Sequence, residues 1–264
     1  MKIYPIRSSS KGNAIVVSGQ SGKILTDCGI SCKQLESGLS AAKINPGEIA
    51  GVLITHEHID HIKGVGIFSR KYNVPIYANR QTWLAMRSVI GKVSEENIKV
   101  AETGSEIRIA GICAKSFPIP HDAAEPVGYC FGENGSKAAI ATDMGEICET
   151  VFSEICGCET VLLEANYDQN MLDIGSYPYK LKRRIKSSSG HLCNTDAGEM
   201  AVCLAQNGTK NIILGHLSGE NNYPHLAYQT VKNFLDAAGA NVNLLVAARE
   251  NAGFENCSFE TTSV

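Results

Sequence analysis

The feature that most constrains this chain is a run of metal-binding side chains directly behind an apolar segment. Residues 51–55 read Gly-Val-Leu-Ile-Thr, and residues 56–61 after them read His-Glu-His-Ile-Asp-His. The whole chain has seven histidines in 264 residues, so this clustering is a specific signal. A short apolar run that ends in such residues predicts a buried strand whose end directs ligands at a metal site.

The spacing within the run predicts two cations. Positions two apart on an extended segment project to the same side, so His56 and His58 can hold one cation together. Asp60 and His61 then face elsewhere and can supply oxygen and nitrogen to a second cation close by. Zinc suits this mixture of ligands, and manganese or iron would also accept it.

Three further polar residues end short apolar runs later in the chain. His121 follows residues 114–120, Asp143 follows residues 138–142, and His216 follows residues 211–215. A single histidine of this kind is more often structural than a metal ligand. Three such residues behind the first motif predict a site at one edge of a sheet core.

In this order, the motif and the three later residues resemble the metallo-β-lactamase superfamily over the whole chain. Six segments are similar to its YycJ/WalJ branch, namely residues 8–13, 55–64, 121–129, 140–143, 163–168 and 190–194. The resemblance implies an α/β fold built as a four-layered αββα sandwich. It also implies a cytoplasmic, metal-dependent nuclease that degrades double-stranded DNA from 5′ ends.

The same resemblance implies a ligand set. One metal would take His56, His58 and His121, the other would take Asp60, His61 and His216, and Asp143 would bridge them. Asp27 matches the first motif of the superfamily and is expected to orient a ligand histidine or the ligand loop. A turn carboxylate without such a role is the alternative for Asp27.

Phosphodiester hydrolysis needs an activated water and a proton or positive charge for the departing oxygen. By position, His191 and Glu164 resemble the histidine and glutamate that assist the leaving group in the RNase Z group. Asp60 is also assigned a catalytic role, because its removal is expected to abolish turnover. The alternative for His191 is a structural role beside a helix that is predicted to begin near Asp196.

Net charge limits where DNA can bind. A charge of −3 and a pI near 6.2 argue against a generally basic nucleic-acid protein, so the contact must come from a local patch. The densest group of cations comprises Lys180, Lys182, Arg183, Arg184 and Lys186. It is predicted to flank the site and hold phosphates, and a solvated helix face is the alternative. Ser10 and Asn13, in a polar loop, are predicted to touch phosphate, with a plain turn as the alternative.

The organisation of the chain is consistent with a single domain over residues 1–264. A content of 44% hydrophobic residues can enclose one substantial core. The sequence has no signal-like N-terminus and no run of apolar residues long enough to span a membrane, so we expect a cytoplasmic protein without a membrane partner. Hairpins are predicted at residues 16–26 and 129–140, and a capped helix at residues 31–42.

Several functions use the same ligands. Enzymes with a β-CASP insertion carry a large domain between the bridging aspartate and the last histidine, but only residues 144–215 lie there in this chain. The substrate arm of RNase Z enzymes cannot fit into residues 122–142. Cyclic phosphodiesterases of the PhnP type and thioester hydrolases of the glyoxalase II type remain as enzyme alternatives. A non-catalytic sensor of metal or phosphorylated ligands is the alternative from another class.

Overall fold

Two mixed β-sheets carry the fold, and in each sheet the strands lie side by side in chain order. The structure, a computed structural model, describes residues 1–250 and 252–255. The first sheet comprises β1 (Lys2–Ser9), β2 (Gly12–Ser18), β3 (Lys23–Thr26), β4 (Ile49–Leu53), β5 (Ile76–Ala78) and β6 (Ile98–Val100). The second comprises β7 (Glu106–Ile109), β8 (Ile112–Pro118), β9 (Val127–Glu133), β10 (Ser136–Ala141), β11 (Thr160–Glu164), β12 (Asn211–Gly215), β13 (Asn243–Ala247) and β14 (Phe254–Glu255).

Helices connect the parallel strands and cover the outer faces of the sheets. On the first sheet these are α1 (Cys32–Ala41), α2 (Ile59–Ile62), α3 (Val65–Tyr72) and α4 (Arg80–Ile90). Along the second half they are α5 (Glu149–Ile155), α6 (Gln169–Ile174), α7 (Tyr179–Ile185), α8 (Asn194–Gln206) and α9 (Pro224–Ala237). Single turns of 3-10 helix lie at Pro46–Glu48 and Glu95–Asn97.

The central strands are buried on both faces, which is why they read as continuous apolar runs. In β3, Ile24 packs between the sheets and Leu25 packs under the helices of the first sheet. In β11, Leu162 faces the inter-sheet core, whereas Val161 and Leu163 face α8 and α9. Alternate residues therefore feed three apolar cores, and the layers are helix, sheet, sheet and helix. The prediction of an αββα sandwich is confirmed.

Strand direction brings the polar ends of several strands to one edge. In the first sheet β3 and β4 are parallel. In the second sheet β10, β11 and β12 are parallel, and β8 has the same direction because both β8 and β10 pair antiparallel with β9. The carboxyl ends of these strands carry the residues that the sequence singled out. No helix among the described residues is long and apolar enough to cross a membrane.

Local sequence signals account for most of the element boundaries. Both predicted hairpins form, because Val16 pairs with Leu25 and Tyr129 pairs with Ile140. The helix predicted at residues 31–42 is α1, whose N-cap Ser31 forms a reciprocal capping box with Gln34. The helix predicted to begin near Asp196 is α8, which begins two residues earlier at Asn194 and has Cys193 as its N-cap.

Candidate metal centre

The predicted ligands converge at the shared edge of the two sheets. His56 and His58 follow β4, Asp60 and His61 lie in α2, and His121, Asp143 and His216 follow β8, β10 and β12. Two groups of three can each hold one ion: His56, His58 and His121 form the first group, and Asp60, His61 and His216 form the second. Within each group the ligand atoms lie within 4.8 Å of one another.

Asp143 lies between the two groups. Its Oδ2 is 3.4 Å from His61 Nε2, and its Oδ1 is 3.9 Å from His121 Nε2. In the second group, Asp60 Oδ2 lies 3.5 Å from His61 Nε2 and 3.6 Å from His216 Nε2. In the first group, His58 Nδ1 lies 3.3 Å from His121 Nε2. A carboxylate between two sets of imidazoles can bridge two cations.

Buried atoms at the centre have unused bonding capacity. His56 Nε2, His216 Nε2 and Asp143 Oδ2 are inaccessible to solvent, and none of them has a hydrogen-bond partner among the described residues. Buried polar atoms are normally satisfied, so three such atoms aimed at one place need a partner. The mixture of imidazole nitrogen and carboxylate oxygen fits zinc, manganese or iron. The residues therefore fit two divalent cations.

The electrostatics of the centre favour bound cations. Burial would raise the pKa of Asp60, but His61 and His216 outweigh it and lower that pKa. Burial lowers the pKa of His56, which leaves the imidazole neutral, the form that binds metal. Burial also lowers the pKa values of His61 and His216, but the surrounding carboxylates outweigh it and raise both. Asp143 is the largest of these influences, and the pKa of His216 rises to about 10. The carboxylates thus attract positive charge to the positions where these two rings point.

Most ligand histidines are oriented through the ring nitrogen that faces away from the centre. Asp27 Oδ2 lies 2.8 Å from His61 Nδ1, and the Gly190 carbonyl lies 3.1 Å from His121 Nδ1. Such partners fix the tautomer and leave Nε2 for the metal. Asp27 therefore lies behind His61, as the sequence reasoning expected of a residue that orients a ligand.

Thr55 is a member of this arrangement that the sequence reasoning missed. Its hydroxyl donates to Asp27 Oδ2 at 2.8 Å and lies 3.0 Å from His56 Nδ1, where it can accept a hydrogen bond. Its backbone N–H donates to Asp27 Oδ1 at 2.9 Å. Thr55 thus links a ligand of the first group to the carboxylate that holds a ligand of the second. In the sequence, only its position between the apolar run and His56 indicated that Thr55 lies close to the metal centre.

Glu164 and His191 form a pair beside the ligands. Glu164 is fully buried, and its Oε1 lies 2.8 Å from His191 Nδ1 and 2.9 Å from His216 Nδ1. The other oxygen accepts hydrogen bonds from the backbone N–H groups of Met144 and Leu192, at 2.8 and 3.3 Å. Burial would raise the pKa of Glu164, but His191 and His216 reverse this and lower it. One carboxylate therefore orients both a candidate metal ligand, His216, and His191.

Strained backbone marks three of these positions. Asp27, Asp143 and His216 have φ angles of 59°, 61° and 56°, in the left-handed region that residues other than glycine seldom adopt. Each of the three follows the end of a strand, where the chain must turn sharply to direct a side chain into the centre. Strain of this kind persists at functional sites when the surrounding structure imposes it.

The ligands open onto a cavity of about 290 Å³. Its walls include His58, Asp60, Asp143, His191 and His216, together with Ser10, Lys11, Asn166, Tyr177, Leu181, Arg184, Ile185 and Ser218. Ser10 therefore faces the cavity. Asn13 is 3% exposed instead, and its Nδ2 lies 3.0 Å from His61 Nε2 and 3.5 Å from Asp60 Oδ2. Asn13 thus contacts ligands, and its side chain is not among those that line the cavity.

The basic cluster is divided by the geometry of α7. Arg184 lines the metal cavity, and its guanidinium pairs with Asp122 at 2.5 and 2.9 Å. Lys182, Arg183 and Lys186 line a separate depression with Asp173 and Tyr179. Lys180 lines neither cavity. Of the five predicted cations, the structure brings Arg184 to the metal centre and directs three of the others to a different surface.

Comparison with known proteins agrees with this geometry. The sequence model of the Beta-lactamase superfamily domain matches residues 23–217. The chain is 39% identical to the exodeoxyribonuclease YycJ of Bacillus anthracis over 237 residues, which cover 90% of each chain. It is 38% identical to the exodeoxyribonuclease WalJ of Streptococcus pneumoniae over 241 residues, again 90% of each chain. The metallo-β-lactamase fold protein YhfI of Bacillus subtilis has the same fold, with a TM-score of 0.71 over 96% of this chain and 98% of that chain at 13% identity.

Proposed function

The chain belongs to the β-lactamase superfamily, and from this premise we propose that it is a metal-dependent exodeoxyribonuclease of the YycJ/WalJ type. Its substrate in this proposal is double-stranded DNA, which it degrades from 5′ ends in the cytoplasm. The reaction is hydrolysis of phosphodiester bonds at a centre of two divalent cations, zinc or manganese, with iron as a further possibility.

One observation carries the proposal: a complete set of ligands for two cations lies beside a histidine that is not a member of either group. His56, His58 and His121 form one group, and Asp60, His61 and His216 form the other. His191 lies next to them, 2.8 Å from Glu164. A phosphodiesterase needs both parts, because the attacking water and the leaving oxygen require separate assistance. DNA is proposed as the substrate because the similar proteins YycJ and WalJ are named exodeoxyribonucleases.

Two bound divalent cations would supply an acidified water near neutral pH and would neutralise negative charge on a phosphoryl oxygen. Asp143 is positioned between the two sites and would hold them at a fixed separation. Asp27 and Thr55 keep His61 and His56 in the orientation that presents Nε2 to the centre.

His191 is assigned to the leaving group. Its Nδ1 proton is held on Glu164 and the residue lines the cavity, so Nε2 is the ring nitrogen assigned to give a proton to the departing oxygen. Glu164 keeps the imidazole in this orientation. Arg184 and Ser10 border the same cavity and are assigned to substrate phosphates. Asn13 is assigned to positioning Asp60 and His61 rather than to substrate.

The test is digestion of linear duplex DNA labelled at the 5′ or the 3′ end, beside closed circular DNA and a small phosphodiester. The reactions contain manganese or zinc, and the control protein is Asp60→Ala, which removes one ligand. We expect metal-dependent loss of label from 5′ ends, with circles left intact and no turnover by the control. Intact DNA with turnover of the small ester would instead favour a cyclic phosphodiesterase, and thioester turnover alone would favour a thioesterase.

A further inference from the structure

Helix α7 carries an exposed aromatic surface beside the metal cavity. Tyr179, the first residue of the helix, is 76% exposed, and Ile174 at the end of α6 is 87% exposed. Tyr179 borders a depression of about 510 Å³ with Asp173, Lys182, Arg183 and Lys186. The guanidinium carbon of Arg183 lies 6.0 Å from the centre of the Tyr179 ring. A flat ring in solvent is thus surrounded by basic side chains.

The surface around Tyr179 carries more basic than acidic side chains. Lys186 pairs with Asp173, and Lys182 donates to the carbonyls of Asp173 and Gly175 at 2.8 and 2.7 Å. These contacts tie α7 to the end of α6 and compensate one acidic group. Arg183 and Lys180 take part in no salt bridge among the described residues. The charge around the ring therefore matches an anionic partner.

The same helix links this surface to the metal cavity. Leu181, Arg184 and Ile185 line the cavity, whereas Tyr179 and Arg183 lie on the other side of α7. Arg184 lies five positions after Tyr179 in the helix, a rise of about 7.5 Å along the axis. A polyanion held at Arg184 can therefore continue over the helix to Tyr179. This continuity favours a nucleic-acid strand over a partner without connection to the catalytic cavity.

We propose that Tyr179 and Arg183 form a stacking platform for an unpaired base of the DNA strand that enters the metal cavity past Arg184. The inference rests on the proposed nuclease function and narrows its substrate. Paired bases inside a duplex have no free face to offer, so the platform acts on bases that have left the helix. The substrates it selects are DNA ends with unpaired nucleotides, either frayed or overhanging.

The experiment measures binding of a short single strand that carries 2-aminopurine, by fluorescence quenching and anisotropy, with EDTA present to prevent cleavage. Tyr179→Ala is compared with Tyr179→Phe, which keeps the ring, and with Leu84→Ala, an exposed apolar residue on α4. Thermal unfolding of each variant reports its folding. We expect Tyr179→Ala to bind on the order of tenfold more weakly and to lose the quenching, while Tyr179→Phe and Leu84→Ala bind as the wild type does.

Two results would overturn the platform. One is equal binding and equal quenching by the wild type and Tyr179→Ala; the other is loss of binding to anionic phospholipid vesicles in Tyr179→Ala without any change toward DNA. The nuclease proposal is judged separately, from metal-dependent turnover of end-labelled DNA by the wild type. A wild type that degrades DNA while Tyr179→Ala binds the single strand normally refutes the platform alone.

Discussion

Replacement of Glu164 by glutamine is expected to impair metal binding and turnover together. The buried carboxylate accepts four N–H groups: the Nδ1 groups of His191 and His216 at one oxygen, and the backbone groups of Met144 and Leu192 at the other. Glutamine has the same shape, but its NH₂ group donates. In either orientation of the amide, its NH₂ group points at two of these N–H donors, and those two donors are left without an acceptor.

The magnitudes follow from that conflict. Each buried N–H left without an acceptor costs about 1–3 kcal/mol, so the two together lower the free energy of unfolding by about 2–6 kcal/mol. Loss of the partner of a ligand histidine lowers metal affinity about 10- to 100-fold. Loss of the group that orients a general acid lowers kcat by about 100- to 10 000-fold.

The assays are urea unfolding, competition with a chelator for bound metal, and turnover of end-labelled DNA at saturating metal. Glu159→Gln is the matched control, because that carboxylate is exposed and pairs with Lys210 on the surface. His191→Ala separates the two roles, since it is expected to lower kcat while both metals stay bound. The reasoning is refuted if Glu164→Gln keeps the metal affinity and kcat of the wild type.

Three further substitutions test other parts of the account. Asp27→Asn removes the anionic partner of His61 and should weaken binding at the second metal group about 10- to 100-fold in a chelator competition; unchanged affinity would contradict the orienting role. Arg184→Ala should raise KM for DNA and reduce the slope of log binding constant against log salt by about one, whereas an unaltered salt slope would remove Arg184 from phosphate binding. Phe68→Ala in the outer core of the first sheet should lower the free energy of unfolding by about 3–5 kcal/mol in urea, and a loss below about 1 kcal/mol would show that the core is misassigned.

The convergence of the predicted ligands could be expected because His121, Asp143 and His216 each follow a short apolar run. His121 and His216 follow strands that point in one direction, so strand polarity alone brings them to the same edge. Local rules were equally effective for α1, where Ser31 and Gln34 supply both halves of the capping box. In these cases the determining interaction lies within a few residues of sequence.

The contacts across the fold could not be predicted in this way. The hydrogen bond from Thr55 to Asp27 joins residues that follow the ends of two neighbouring strands, 28 positions apart in sequence. The position of Thr55 before His56 indicated that it lies near the centre, but the sequence did not show that its partner is Asp27. Helix α8 begins two residues before Asp196, and the thiol of Cys193, a weak acceptor, takes the capping position.

The sequence also could not show which residues of the basic cluster face the metal cavity. Density of charge indicated a single patch, but residues on a helix are about 100° apart, so neighbours face different surfaces. Lys182 and Lys186, four residues apart, both reach Asp173, while Arg184 between them lines the metal cavity. The helical phase separates the cations, and only the docking of α7 decides which of them reaches the cavity.

Turnover is proposed to depend on a centre of two cations, and the number of metal ions bound per chain checks this. Metal-free protein is given increasing manganese or zinc, and bound metal per chain is measured alongside turnover of end-labelled duplex DNA in the same samples. We expect two ions per chain for the wild type, with turnover that follows the second ion, and one ion without turnover for Asp60→Ala. Saturation of the wild type at one ion, or full turnover by Asp60→Ala, would contradict it.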